Sequence, residues 1–243
     1  MIRRLTAIDL SFAIQALLTI AASLYTLRLG AGLVAWRAAN NLEKPNYTVV
    51  KRLPNVEIRK YDSYMIAETT VEESSMRKAG GAGFGRCAGY IFGKNEARTK
   101  GSDSEKMAMT APVRSVGETS EKMAMTSPVR GSSSGGKTKI SFVIGSKYNM
   151  QNVPKPIDKS VQVKKVKEHY LAATSFSGAP PSDERIRKER EAIVGTLEKE
   201  GIRVKDREET IVYGYHDPVI TPNFLRKNEV AVMVDGSTVK SEQ

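Results

Sequence analysis

One stretch of this chain returns 105 positions downstream. Val56-Glu57-Ile58-Arg59-Lys60 aligns with Val161-Gln162-Val163-Lys164-Lys165, and Tyr64-Met65-Ile66-Ala67-Glu68-Thr69-Thr70-Val71 aligns with His169-Tyr170-Leu171-Ala172-Ala173-Thr174-Ser175-Phe176. In each copy two short strand-like runs give way to a pattern of helical period. A unit that presents an apolar strand face must bury it against another layer, so the two copies pack as one body with a helix apiece. The expected fold is α+β: two strand-strand-helix-strand-strand units in a largely antiparallel sheet or open barrel. A pseudo-symmetric groove between two such halves suits a large ligand.

Strands are expected over residues 47–53, 56–60 and 64–71, with Pro54-Asn55 and Asp62-Ser63 as turns. From residue 76 to 92 the period lengthens, and Met76, Ala79, Gly83, Cys87, Tyr90 and Ile91 share one helical face. Glycines at 80, 81, 83 and 85 weaken the first half of that helix, and Gly93-Lys94-Asn95 stops it. The second helix is better marked. Pro180-Pro181 precedes Ser182 as N-cap, Asp183 and Glu184 favour the positive end of the dipole, and Gly201 follows the last turn. Its residues Ile186, Ile193 and Leu197 point one way, against the sheet. Residues 138–144, 203–205, 210–215 and 229–234 read as the remaining strands, and 131–136 as a flexible bridge.

A second duplication is shorter. Ser104-Glu105-Lys106-Met107-Ala108-Met109-Thr110-Ala111-Pro112-Val113-Arg114 recurs over residues 120–130 with Ser127 in place of Ala111. On extended segments, Met107 and Met109, like Met123 and Met125, fall on one face. Unbranched thioethers fill an irregular core or cover a flat polarisable ligand, and the pattern alone leaves both readings open. The two phrases are expected as strands joined by residues 115–120.

The formal net charge of +11 suits an anionic partner. Those charges are scattered, however, and along residues 185–190 they alternate with Glu, as on a solvated face. No nucleic-acid-binding motif is present, so no nucleic-acid partner is expected. A lone cysteine, Cys87, excludes an internal disulfide and a cysteine metal cage, and no metal site is expected. With two histidines and no nucleophile elbow there is no Ser-His-Asp set, and Gly80 to Gly85 lacks the context of a dinucleotide turn. Catalytic residues are therefore not assigned.

Residues 10–27 carry no charge and are flanked by Arg3, Arg4 and Arg28. As a helix they reach about 27 Å, near the lower limit for crossing a bilayer. A membrane anchor, an organelle-targeting peptide and a helix packed on the domain all remain open. Three regions follow: a hydrophobic segment with its linker at 1–45, a folded domain at 46–235, and a polar tail at 236–243.

Four motifs in order carry a resemblance: Val56-Glu57-Ile58-Arg59-Lys60-Tyr61, Tyr90-Ile91-Phe92-Gly93-Lys94-Asn95, the Lys-Met-x-Met-Thr-x-Pro-Val phrase, and Pro222-Asn223-Phe224-Leu225-Arg226-Lys227-Asn228-Glu229-Val230. Over roughly residues 46–235 the chain resembles the SOUL haem-binding proteins. The doubled Met phrase is similar to that of the plastid members of plants and algae. This resemblance implies a distorted eight-stranded β-barrel with two flanking helices. It also implies non-enzymatic binding of haem or another tetrapyrrole beside the first helix, for transport or buffering. The implied site residues are Phe84, Ala88 and Ile91 with Met107, Met109, Met123 and Met125, while Lys94 and Lys106 meet the propionates. His216, in a turn before Pro218, and His169, on a strand, are the histidines available to iron. Met or Tyr ligation stays open, and binding without firm axial coordination is the expectation. The chloroplast, and within it the thylakoid membrane, is the expected location, or the soluble plastid if the leader is removed. A scaffold or assembly subunit of a membrane complex that has lost the ligand is the alternative, followed by an enzyme acting on a hydrophobic pigment or lipid.

Overall fold

The computed structural model describes residues 7–98, 103–118, 136–206 and 209–239. The first element is α1, Ala7–Asn40, a helix of 34 residues and therefore about 51 Å long. Most of its apolar side chains face outward, Phe12, Leu17, Leu24 and Leu27 among them. It meets the rest of the protein toward its C-terminal end, through Arg28, which donates to the Val219 carbonyl, and through Leu29, Gly32, Ala35, Trp36 and Ala39 at helical spacing. A Cβ on Gly32 would lie 2.5 Å from Pro222 Cδ, so the absence of a side chain is what allows this close approach.

After the linker come β1 (Tyr47–Leu53), β2 (Val56–Tyr61), β3 (Tyr64–Val71) and α2 (Met76–Ile91). Next are β4 (Asn95–Glu96), β5 (Val113–Glu118), β6 (Thr138–Ile144), β7 (Lys155–Pro156), β8 (Val161–Val166), β9 (His169–Ser177) and α3 (Asp183–Lys199). Strands β10 (Glu209–Gly214) and β11 (Lys227–Val234) complete the chain's sheet. The repeat is kept to the residue: β2 and β8 open at Val56 and Val161, and β3 and β9 open at Tyr64 and His169.

The main sheet has nine strands in the order β1-β2-β9-β11-β10-β5-β6-β3-β8, and β4 pairs with β7 separately. Leaving β1 aside, that order reads the same from either end when the two repeats are exchanged. The pseudo-two-fold axis passes between β5 and β10. Each repeat lends its first strand to the other half, β2 to β9 and β8 to β3.

The distorted eight-stranded barrel implied by the resemblance is corrected to an open, curled sheet of nine antiparallel strands. β1 adds to the outer edge of β2, with Tyr47 opposite Tyr61, and β8 at the far edge exposes Gln162, Lys164 and Lys165. Charged edges of this kind resist further strand pairing.

Two further expectations change. Residues 104–109 form no strand; Met107 N–H donates to Ile91 O, and Asn95 grips Glu105 by donating to its carbonyl (2.8 Å) and accepting its N–H (2.9 Å). This wraps the first Met phrase around the end of α2. The strand β5 instead begins at Val113, after Pro112, which has no N–H for a ladder. Likewise residues 203–205 make only an isolated bridge, Val204 to Val234. The second Met phrase, with Met123 and Met125, lies outside the described residues.

Both helices pack on one face of the sheet. Ser75 caps α2 by accepting the Lys78 N–H (3.3 Å), while the Met76 N–H donates to Asp183 Oδ1 of α3 (3.1 Å). The two helices thus begin against each other. Under α2 lie Met65, Ala67, Cys87, Tyr90, Ile91 and Phe142; under α3 lie Ile58, Ile186, Ile193, Leu197, Val230 and Val232. The opposite face carries Tyr61, Leu171, Ile211 and Tyr213. There Arg59 reaches Glu229 through two hydrogen bonds of 3.0 Å.

Candidate ligand-binding site

Where the two repeats meet, the outward residues of β5 and β10 are small or branched: Val113, Ser115, Val212 and Gly214. They floor a groove of about 540 Å3. Gly80, Gly81 and Phe84 of α2 form one wall, Pro180 and Pro181 before α3 another, and His216 to Val219 after β10 the third. Its depth comes from missing side chains, because a Cβ at Gly80, Gly81 or Gly214 would meet nothing within 4 Å. Phe84 stays half exposed at 41% and is held edge-on against Phe142, ring centroids 5.1 Å apart.

The polar groups on these walls are mostly donors. Arg77 stands at the rim and Arg226 on the wall, where the Arg226 Nε–H donates to Thr221 O at 2.6 Å. The Lys227 backbone N–H donates to His216 Nδ1 at 3.0 Å. A backbone N–H can only donate, so Nδ1 holds the lone pair and the neutral ring carries its proton on Nε2. That Nε2–H is buried and finds no partner among the described residues. Burial, followed by the charges of Lys44, Lys227 and Arg226, lowers the His216 pKa and keeps the ring neutral at pH 7. The one carboxylate on the wall, Asp217, accepts the N–H groups of Val219 and Ile220, each at 2.7 Å, and so folds the loop.

Of the residues singled out in the sequence, Phe84 and His216 meet in this groove. Ala88 and Ile91 lie beneath α2, 7% and 1% exposed, and Met107 is in the same cluster at 5%. Met109 is half-buried against that cluster. Lys94 and Lys106 are exposed near the end of α2; Lys94 lies along Gly89 and Lys106 beside Gly93. The sequence placed His216 in a turn before Pro218; there its Nδ1 is tied to the Lys227 N–H and its ring is part of the wall. His169 is away from the groove, stacked on Tyr61 with centroids 5.4 Å apart.

Sequence reasoning missed Arg77, Arg226, Pro180 and Pro181 as wall residues. The usable signal was Gly80-Gly81, read only as helix-weakening. A second cavity, of about 580 Å3, is edged by Glu43, Lys44, Asp62 and Lys165 and has a more polar lining than the groove. No cluster of His, Cys, Asp and Glu fit to hold a metal ion occurs among the described residues.

A family model described as SOUL heme-binding protein matches residues 42–233. No curated protein matches the chain. Solved structures similar to it include the EcmrR C-terminal domain, with TM-score 0.51, 7% identity and coverage of 78% of this chain and 98% of that one. Another is a hydrolase encoded by lin2189 from Listeria innocua, with TM-score 0.48, 10% identity and coverage of 74% and 92%. At 7% identity the likeness to EcmrR is one of fold alone.

Proposed function

The chain belongs to the SOUL haem-binding protein family, and we propose that it holds haem or a related tetrapyrrole reversibly in the groove between α2, β5 and β10, as a carrier or buffer. One observation carries this reading: an apolar groove whose free polar groups donate. Arg77, Arg226 and the His216 Nε2–H match the carboxylates of a tetrapyrrole, and the bare floor matches its ring face. Its volume falls within the usual range for small-molecule sites. When bound, haem supplies an iron whose reactivity is set by its axial ligands. His216 is poorly placed to be one, since its Nδ1 is taken by the Lys227 N–H and its buried Nε2 carries the proton. Burial of the ring, rather than coordination, then provides the affinity.

Binding without turnover is the reading that the side chains support. Cys87 is fully buried, and burial raises its thiol pKa to about 12, far from a nucleophile's range. The two histidines are apart, one beside Tyr61 and one in the groove. Among the described residues α1 is the one helix long and apolar enough to cross a membrane, and we place the protein at a membrane through it. The doubled Met phrase supports a plastid location, the thylakoid membrane included.

The test compares hemin with iron-free protoporphyrin IX on the full chain in detergent micelles, followed by absorbance and fluorescence. Binding of both with dissociation constants within tenfold of each other is expected. Saturable binding of hemin alone would overturn the coordination-free mode, and binding of neither would overturn the function.

A further inference from the structure

We propose that the loop after β10, His216 to Phe224, whose stretch from His216 to Val219 walls the groove, docks in the headgroup layer of a lipid bilayer, so that the groove takes its ligand from the membrane side. This rests on the reading of α1 as a membrane helix and of the groove as the ligand site. The helix serves as a ruler. Its charge-free run, residues 10–27, covers about 27 Å, close to the hydrocarbon thickness of a bilayer. Arg28 therefore marks the edge of the hydrocarbon, where a long basic side chain reaches the headgroups. That same guanidinium lies 3.5 Å from the Val219 carbonyl. One turn further, about 6 Å along the axis, Gly32 packs against Ile220 O and Pro222.

The loop is thereby fixed at headgroup depth by two contacts on consecutive turns of α1. What it presents there is apolar. Val219 is 71% exposed, Ile220 48% and Phe224 68%. Three large apolar side chains exposed on one short loop are unusual for water-facing protein. The nearby charges on α1, Arg28 and Arg37, are basic, and no acid precedes Glu43 after Asp9, which suits anionic lipid. Val219 belongs both to this patch and to the groove wall, so the groove and the bilayer share a boundary. An apolar, carboxylated macrocycle dissolved in lipid would reach the groove without crossing water.

The experiment uses the full chain in vesicles of phosphatidylcholine and phosphatidylglycerol. A single environment-sensitive fluorophore is attached at Ile220→Cys or, as control, at Lys199→Cys. Cys87 is fully buried and does not compete for label. Lys199 is exposed at the far end of α3, about 24 Å along the helix from Asp183. At position 220, blue-shifted emission and quenching by shallow spin-labelled lipid at least twice that at 199 are expected. Water-like emission and equal quenching at both positions would overturn the docking. In a second measurement hemin is transferred from loaded vesicles to the protein. The double variant Ile220→Asp/Phe224→Asp, neither residue lining the groove, is expected to slow transfer at least tenfold while leaving hemin affinity in detergent within twofold. Unchanged transfer overturns the lipid route. Absence of hemin binding by the unaltered chain would refute the ligand reading and the route with it, while the fluorophore depth would still judge the docking by itself.

Discussion

Replacing Gly81 with leucine separates the groove from the stability of the fold. Gly81 lies within α2 on the groove wall, and a Cβ there meets nothing within 4 Å. A helix-interior glycine costs about 1 kcal/mol relative to a good helix former. Gly81→Leu should therefore stabilise the ligand-free protein by roughly that amount, or about 2–4 °C in Tm for a domain of this size. The same side chain fills the groove. If the macrocycle buries ~300 Å2 of apolar surface there and leucine denies it about a third, the loss is ~2.5 kcal/mol, or roughly 60-fold in Kd. The control is Gly195→Leu on α3, where a Cβ also meets open space but the residue lines no part of the groove. Hemin titration and thermal unfolding are measured on both variants. If Gly81→Leu is as stable as expected and binds hemin within threefold of the unaltered protein, the ligand does not sit in this groove.

Other substitutions probe single interactions. His216→Phe removes the Nε2–H and should weaken hemin tenfold or more, as expected for one hydrogen bond to a carboxylate, while His216→Gln, which keeps an N–H donor, should stay within threefold; equal losses with a changed Soret band would instead mark His216 as an iron ligand. Because its folded pKa lies below 6.5, the stability linked to the neutral ring is present above that pH and declines as pH falls through the folded value, a decline His216→Phe should reduce in urea midpoints. Burial pushes the Glu229 carboxyl up, but the hydrogen bonds and charges of Arg59 and Lys227 outweigh it and hold the pKa at about 2, against 4.5 ordinarily. The pair's contribution is thus complete above pH 4.5 and lost as pH drops toward 2. Glu229→Gln strands the buried Arg59 charge and should cost about 3–5 kcal/mol by urea denaturation, whereas an apolar Arg59→Met/Glu229→Leu pair should recover most of it. Gly83→Ala should destabilise by about 1–3 kcal/mol, since its Cβ would lie 2.6 Å from Ile140 Cβ and also against its γ carbons; adding Ile140→Gly, which removes all three atoms, should cost less than the two changes summed.

Much of the architecture could be read from local pattern. The repeat fixed where β2, β3, β8 and β9 begin, and the apolar face proposed for the first helix is the one α2 buries. What the pattern does not carry is which strands meet. The pairings of β2 with β9 and β3 with β8 join residues about a hundred positions apart, and nothing in either segment names its partner. A groove between the halves was expected, but the residues of its floor were not legible, since that floor forms only when β5 and β10 lie side by side. Met107 misled because a period of two says that residues share a face without saying what covers it; here Asn95 holds Glu105 and folds the phrase under α2. Phe84 and His216 were legible as residue types, while Gly80 and Gly81 matter through the room they leave.

The lending of first strands between the repeats has an effect on how the molecule must assemble. Neither repeat can finish its own sheet, because β2 is completed only by β9 and β8 only by β3. A chain severed between β6 and β8 would yield two fragments that each lack an edge and must find the other to fold. The seat at their seam comes into being at that moment, and anything lodged in it holds the two halves as a clasp holds a hinge.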